Sequence, residues 1–428
     1  MKTFFKTTSI ILLLGAIMLF PSFIAGTMSS GKEIELRVED FLLLFFGLAV
    51  FLYFLATGKF KIKKPPFFVP IIILLVIEFF GVLLNSILGN LFFIDRAFFY
   101  FFKEVELLFL YFYVFYNLES IKSAKVVIKF ILLFTGLNIA YLFYQIISHK
   151  EVGEYVGNTT AALSEYGIFP TAAFFVMIFV FLTAFFIFYY NNLKDKLWQK
   201  LLFGAIVISS VIGVFGTGSK TSFLALVFSV IILFLLLLFK RNKEAGKIII
   251  LGIIIVILLM GVFVFSLKSI NTVRGIVGIF GFSKLAESYT GDRLIYQQLF
   301  IKNTLYTFGQ QPLSIFFGLG VGYITEAHNQ FLRNFAEIGI TGSIVFLVMI
   351  FFILRAGFRA YRKSEDPFIV AAGAGIIVMT LAMMVFSIAT DPFFSVKVAS
   401  MYWFFIGLNV AILSFKIKNK ADFKNTKV

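Results

Sequence analysis

Residues 221–239 read TSFLALVFSVIILFLLLLF, a run that contains no charged side chain. A helix of about 20 apolar residues is long enough to cross the roughly 30 Å hydrocarbon core of a bilayer. Similar runs recur along the chain, and they lie at 8–26, 41–57, 67–88, 97–116, 126–148, 167–190, 201–216, 221–239, 248–267, 340–354, 368–388 and 394–415. The pattern predicts an all-α polytopic membrane protein with about twelve transmembrane helices.

The composition supports this fold class and excludes others. The chain is 60% hydrophobic and 14% charged, so its 428 residues include too few polar ones to cover a water-soluble domain. The absence of cysteine excludes disulfides, thiolate metal sites and cysteine nucleophiles. With two histidines, a zinc site is not expected either. We expect residues 1–428 to form a single integral membrane domain that uses no metal and no cofactor.

The net charge of +16 is distributed as a topology signal. Basic clusters at 58–64, 240–247 and 355–363 fall on the side of the membrane that holds both termini, whereas basic and acidic residues nearly balance on the opposite side. The positive-inside rule therefore predicts cytoplasmic N- and C-termini. It also makes anionic membrane lipids, and not nucleic acid, the expected partners of the basic loops. The first span has the charged start of a signal peptide, but it lacks a small-x-small cleavage site and is expected to stay in place.

Two groups of polar residues accompany the apolar runs. Lys103 and Glu106 lie three apart in the fourth span and can pair, either as a structural ion pair or as the wall of a polar cavity. Between spans seven and eight, the turn FGTGSKTS at 215–222 lets Ser219 and Thr221 cap the next helix. Lys220 then lies where a helix N-terminus favours anions, so it is either part of a phosphate site or a snorkelling interfacial lysine.

The longest predicted loop, 268–326, is placed outside the cell and contains Arg274 and Arg293. The segment TGDRLIYQQLFIKNTLYTFG at 290–309 has the pattern of an amphipathic helix that lies on the membrane or covers a cavity. A loop with its own helix exceeds what a connection between spans needs, which indicates a functional role.

The polar residues at 326–342 follow helical spacing. The pattern predicts a helix from Glu326, with Asn329, Arg333 and Glu337 on one face because they recur every four residues. Arg333 and Glu337 can form an ion pair. His328 would lie at the start of this helix, where local observations leave an interfacial histidine and a functional one equally open.

Three motifs in this part of the chain resemble the O-antigen ligase and polymerase family of bacterial membrane glycosyltransferases. The first is AHNQFLRNFAEIGITG at 327–342, preceded by PLSIFFGLGVG at 312–322. The others are TGSKTSFLALV at 217–227, where the family often has arginine in place of Lys220, and GDRLIYQQLF at 291–300. The residues of the first motif that match are Gly318, Gly320, Gly322, His328, Asn329, Leu332, Glu337, Gly339 and Gly342. The signature region covers about 200–345.

The resemblance implies an activity and a site. Family members transfer a glycan from undecaprenyl diphosphate to a sugar hydroxyl on the outer face of the bacterial cytoplasmic membrane. It implies that Lys220, Arg293, Arg274 and Arg333 bind the diphosphate, that Arg293 and His328 are catalytic, and that Glu337, Asn329 and Ser219 support them. The expected partners are an undecaprenyl diphosphate-linked oligosaccharide, an acceptor glycan or glycolipid, and membrane lipids.

Two alternatives to a polymerase remain, a ligase within this family and a transporter outside it. A polymerase of surface polysaccharide repeat units and a ligase that attaches the glycan to a lipid or another acceptor use the same kind of donor. We favour the polymerase. A flippase of lipid-linked oligosaccharide, or another twelve-span transporter, has the same helix count, but transporters of this size show two similar halves that are not seen here.

Overall fold

The computed structural model describes the chain except for residues 1, 32, 58–64, 90–93, 149–160, 163–164, 167, 191–196, 218, 240–291, 324–326 and 426–428. Thirteen helices occur in the described residues: α1 Lys2–Leu19, α2 Val38–Thr57, α3 Phe68–Ile87, α4 Ile94–Asn117, α5 Ile121–Ser148, α6 Ile168–Phe188, α7 Leu197–Gly216, α8 Lys220–Phe239, α9 Asp292–Gln310, α10 Ser314–Phe317, α11 Gln330–Lys363, α12 Pro367–Ala389 and α13 Val396–Asn425. Two antiparallel hairpins join β1 Phe23–Thr27 with β2 Glu33–Leu36, and β3 Ala161–Ala162 with β4 Glu165–Tyr166.

Seven helices in the described part of the chain are long and apolar enough to cross a membrane, namely α3, α5, α6, α8, α11, α12 and α13. Shorter apolar helices cover Phe4–Leu19 and Lys200–Phe215, within α1 and α7. The chain is therefore a multi-pass, mainly α-helical membrane protein, as the apolar runs predict. The count of about twelve spans and the side of each loop stay predictions, and the predicted span 248–267 lies outside the described residues.

The predicted first span, 8–26, is wrong in its bounds. Helix α1 begins at Lys2 and ends at Leu19, and Phe23 already belongs to strand β1. The reason is Pro21, because the residue before a proline is disfavoured in the α conformation. Phe20 still donates its N–H to the Ala16 carbonyl at 3.3 Å, and the chain then turns into the hairpin.

The structure divides into two compact units, of which the first comprises 1–130, 297–353 and 390–428. In this unit α4 packs on α13 and α3, and α1 contacts α2, α4 and α13. Gly407 permits the close approach of α13, since a Cβ there would lie 2.9 Å from the Tyr111 carbonyl oxygen. Small residues that let helix backbones approach are the usual means of packing helices in lipid.

Ion pairs connect several helices of this first unit. Lys103 lies 2.9 Å from Glu106, so the predicted ion pair is confirmed, and it also lies 2.5 Å from Asp40 on α2. Lys397, at the start of α13, lies 2.6 Å from Glu39 and donates to the Phe20 carbonyl at 3.0 Å. A carbonyl just beyond a helix end is a suitable acceptor for a lysine, because it has no partner within the helix.

Hydrogen bonds connect the first hairpin to Asp95, which lies in α4 before the predicted span 97–116. The Ser29 hydroxyl and backbone N–H donate to Asp95 at 2.6 and 2.8 Å. Both hydrogen bonds lower the pKa of the Asp95 carboxyl below its usual value. The one from the Ser29 hydroxyl has the larger effect.

The second unit comprises 131–296 and 354–389. Helix α6 packs on α7, α8 and α12, and α12 also packs on α8. Gly213 lies so close to α6 that a Cβ there would be 2.7 Å from the Phe175 ring. The Tyr361 hydroxyl donates to the Leu236 carbonyl. This hydrogen bond satisfies a buried polar group in an otherwise apolar unit.

Candidate functional site

The glycine-rich turn 318–322 lies in the first unit and is built on positive φ angles. Gly318, Gly320 and Gly322 have φ values of 76°, 93° and 77°. An ideal Cβ on Gly318 would lie 2.1 Å from the Glu337 carbonyl oxygen, so the turn contacts the backbone of α11 directly. Only glycine combines this φ with so close a contact.

Helix α11 contains a break that receives this turn. Gly339, at φ 69° and ψ −172°, interrupts the helix after Ile338 and leaves the preceding carbonyls without helical partners. The turn supplies those partners, because Leu319 donates to the Ala336 carbonyl at 2.8 Å and Gly320 donates to the Glu337 carbonyl at 3.0 Å. The backbone of the Glu-x-Gly sequence at 337–339 and that of the glycine-rich turn are thus in direct contact, and the turn supplies the donors that the broken helix lacks.

A third helix holds the same turn from the side. The Asn85 amide on α3 donates to the Gly318 carbonyl at 3.0 Å, and its side chain is fully buried. Gly81, one helical turn earlier, admits the Phe317 carbonyl, which a Cβ would meet at 2.6 Å. Sequence reasoning missed both contacts, since nothing local in the third span indicates them.

Arg333 lies at the centre of a buried ionic network. Its side chain is 2% exposed, its Nη1 lies 3.3 Å from Glu337 Oε1 and its Nε lies 3.2 Å from Asp391 Oδ2. The guanidinium also lies over the Phe394 ring, 3.5 Å from its centroid, in a cation–π contact. The predicted Arg333–Glu337 pair is confirmed, whereas Asp391 was missed because it lies beyond the next span.

Two further carboxylates face this network. Glu104 on α4 interacts electrostatically with Glu337 and Arg333, and Glu78 on α3 with Glu104 and Glu337. Glu78 is buried, and its Oε2 accepts no hydrogen bond from the described residues. The described part of the chain holds no group of three His, Asp or Glu side chains arranged to bind a metal ion.

His328 lies immediately before α11, and the predicted start of this helix is wrong. The helix begins at Gln330 and not at Glu326, because Asn329 is its N-cap. Asn329 Oδ1 accepts the backbone N–H groups of Phe331 and Leu332, both at 3.0 Å. His328 is half-buried and has a left-handed φ of 49°, and its carbonyl accepts a hydrogen bond from Gln297 Nε2 at 3.4 Å.

The remaining predicted site residues belong to the second unit or lie outside the described residues. The Ser219 hydroxyl accepts the Ser222 N–H at 3.4 Å and the Ser219 carbonyl accepts the Phe223 N–H at 3.0 Å, so Ser219 is confirmed as the cap of α8. Thr221 is wrong as a cap, because it lies inside the helix. Lys220 is the first residue of α8, and Arg293 lies in the first turn of α9. Arg274 lies outside the described residues. Their relation to His328 stays a prediction.

Comparison with known proteins identifies a related family. No curated protein sequence matches the chain. A family model does match, and the matched segment includes the turn with Lys220, the helix α9, the glycine-rich turn and His328. Residues 204–347 match the family described as O-Antigen ligase, which confirms the resemblance to the O-antigen ligase and polymerase family that the three motifs predict.

Proposed function

We propose that this chain is a membrane glycosyltransferase that transfers a glycan from undecaprenyl diphosphate to a sugar hydroxyl. The reaction takes place on the outer face of the bacterial cytoplasmic membrane and polymerises surface polysaccharide repeat units. The observation that carries the proposal is the O-Antigen ligase match at 204–347, because the matched segment includes Lys220, Arg293 and His328.

Contacts in the first unit support the proposed topology. Lys6 at the start of α1 lies 2.6 Å from Glu119, which follows α4, and both ends are predicted to be cytoplasmic. Ser29 in the first hairpin and Asp95 at the start of α4 are both predicted to be external, and they are hydrogen-bonded. In each case two segments that the positive-inside rule assigns to one side of the membrane are in contact.

The proposed reaction breaks one bond and forms one. The acceptor oxygen bonds to C1 of the donor sugar, the bond from C1 to the diphosphate oxygen breaks, and undecaprenyl diphosphate leaves. Lys220, Arg293 and Arg274 bind the diphosphate and stabilise the negative charge that develops on it. Because cations supply this stabilisation, the transfer needs no metal, and direct displacement inverts the configuration at C1.

His328 takes the proton of the acceptor hydroxyl or orients that hydroxyl for attack. Its place between the glycine-rich turn and α11, inside the matched segment 204–347, supports this role.

The proposal is tested with His328→Ala and Arg293→Ala. Each variant is first checked for membrane insertion, and extension of a lipid-linked oligosaccharide is then measured. We expect both to lose extension, with Arg293→Ala also weakening donor binding. Lys302→Ala, a change at an exposed lysine later in α9, is the control for Arg293→Ala and should keep wild-type extension. Unimpaired extension in both site variants would exclude the assigned residues.

A ligase is the second candidate, because the matching family model is described as O-Antigen ligase. The two activities differ in the acceptor and not in the donor. Incubation with the lipid-linked donor alone separates them, since a polymerase elongates the donor and a ligase leaves it unchanged until a lipid or other acceptor is added.

A further inference from the structure

Arg333 connects two carboxylates, each of which also holds a backbone N–H group. Glu337 Oε1 accepts the N–H of Gly322 at 3.1 Å, and Asp391 Oδ2 accepts the N–H of Ala327 at 3.4 Å. Arg333 lies 3.3 Å from the first of these oxygens and 3.2 Å from the second. The first N–H group belongs to the last residue of the glycine-rich turn, and the second belongs to the residue before His328.

The loop that carries Asp391 is itself fixed to the start of α11. Gln330 donates its backbone N–H to the Thr390 carbonyl at 3.1 Å, and its Oε1 accepts the N–H of Phe393, also at 3.1 Å. Asp391 is therefore not a surface carboxylate that happens to meet an arginine. It belongs to a loop with three separate hydrogen bonds to the residues on both sides of His328.

His328 needs such support because its backbone is strained. A φ of 49° is uncommon for a residue other than glycine and costs free energy, so it persists only where the neighbouring residues fix it. Ala327 is held by Asp391, and Asn329 is held as the N-cap of α11. Both neighbours of the strained residue are thus anchored.

We propose that Arg333 and Asp391 are positioning residues, which with Glu337 form a clamp that holds the backbone of Gly322 and Ala327 and sets the position of His328. This inference rests on the proposed function for its catalytic consequence, although the clamp itself does not. It reassigns Arg333 from the diphosphate-binding residues, because its guanidinium is buried, bonded to two carboxylates and covered by Phe394.

The chain contains no cysteine, which allows a direct test that does not depend on activity. A nitroxide spin label is attached to His328→Cys, the sole cysteine of the protein. Its mobility is then measured by electron paramagnetic resonance, with Asp391→Asn or Glu337→Gln added. We expect each change to increase the mobile fraction of the label, because each removes one carboxylate from Arg333.

Asp95→Asn is the matched control for Asp391→Asn. It also replaces an aspartate that accepts a backbone N–H, but Asp95 is exposed and bonds to the first hairpin. It should leave the label at position 328 unchanged. If the mobile fraction of the label is the same in Asp391→Asn, Glu337→Gln and the control, the clamp does not exist. Should either variant fail to insert, Arg333→Lys provides the same readout, because one amine cannot reproduce two separately directed guanidinium bonds.

Kinetics with His328 intact separate positioning from diphosphate binding. For Asp391→Asn and Arg333→Lys, we expect kcat for glycan transfer to fall about 10- to 100-fold while KM for the donor changes little, because a displaced His328 slows the transfer and leaves donor binding intact. A rise in donor KM with unchanged kcat would instead assign Arg333 to the diphosphate and overturn the clamp. If the wild-type protein transfers no glycan, the proposed function fails, and the spin-label result still decides the clamp.

Discussion

Replacing Gly318 with alanine should disrupt the turn that supports the candidate site. Gly318 has φ 76° and ψ −177°, a region essentially restricted to glycine, and its Cβ would lie 2.1 Å from the Glu337 carbonyl oxygen. This backbone conformation costs alanine roughly 1–3 kcal/mol, and forcing the two backbones apart adds about 1–3 kcal/mol. We therefore expect Gly318→Ala to lower the free energy of unfolding by about 2–6 kcal/mol.

Two other glycines serve as controls that separate these contributions. Gly31 has the same φ of 76° but no atom within 4 Å of its Cβ position, so alanine there meets only the backbone cost. Gly136 lies in α5 with open space and no positive φ, and alanine there should stabilise the helix by roughly 0.5–1 kcal/mol.

The measurement is thermal unfolding of the three purified variants in one detergent, followed by glycan transfer at a temperature where all are folded. The melting temperatures should rank Gly136→Ala, Gly31→Ala and Gly318→Ala from highest to lowest. Transfer should fall only in Gly318→Ala, since only this change displaces Glu337 and the turn before His328. A Gly318→Ala variant as stable as Gly31→Ala would refute the close backbone contact.

Three further changes test separate contacts. Asn329→Ala removes the N-cap of α11 and should lower the free energy of unfolding by about 0.5–2 kcal/mol. Asn329→Asp keeps a capping side chain and should retain most of the wild-type stability in the same melting assay. Glu78→Gln should raise the melting temperature, because it replaces a buried ionisable group whose charged form is disfavoured by burial and by the nearby Glu104 and Glu337; a lower melting temperature would contradict this. The Asp95 pKa is lowered in the folded protein, so its contribution to stability is complete above the ordinary pKa near ~3.9 and is lost as the pH falls through the lowered value. Protease accessibility of the first hairpin should therefore rise in acid in the wild type and be high at every pH in Asp95→Asn.

Sequence reasoning succeeded where partners are close along the chain. The Arg333–Glu337 and Lys103–Glu106 pairs follow from residues three or four apart on a helix, and the structure contains both. The Ser219 cap follows from local chemistry in the same way. The apolar runs likewise indicate a multi-pass helical protein, because helix length and bilayer thickness are linked.

The contacts that build the candidate site connect residues far apart along the chain. Asp391 lies 58 residues from Arg333, and Asn85 lies 233 residues from Gly318, so no local pattern pairs them. Pro21 was a local signal that could have placed the end of α1 correctly. The Gly339 break and the glycine-rich turn were recognisable as motifs, but only the structure shows that each completes the hydrogen bonds of the other.

Glycan transfer by the purified protein in liposomes tests the central claim most directly. The protein is given an undecaprenyl diphosphate-linked oligosaccharide on the accessible face, and the products are separated by mass. The proposed function predicts elongated lipid-linked glycan together with one free undecaprenyl diphosphate for each repeat unit added, and neither product with His328→Ala. Movement of the labelled donor across the bilayer without elongation or release of the lipid diphosphate would contradict it and identify a transporter.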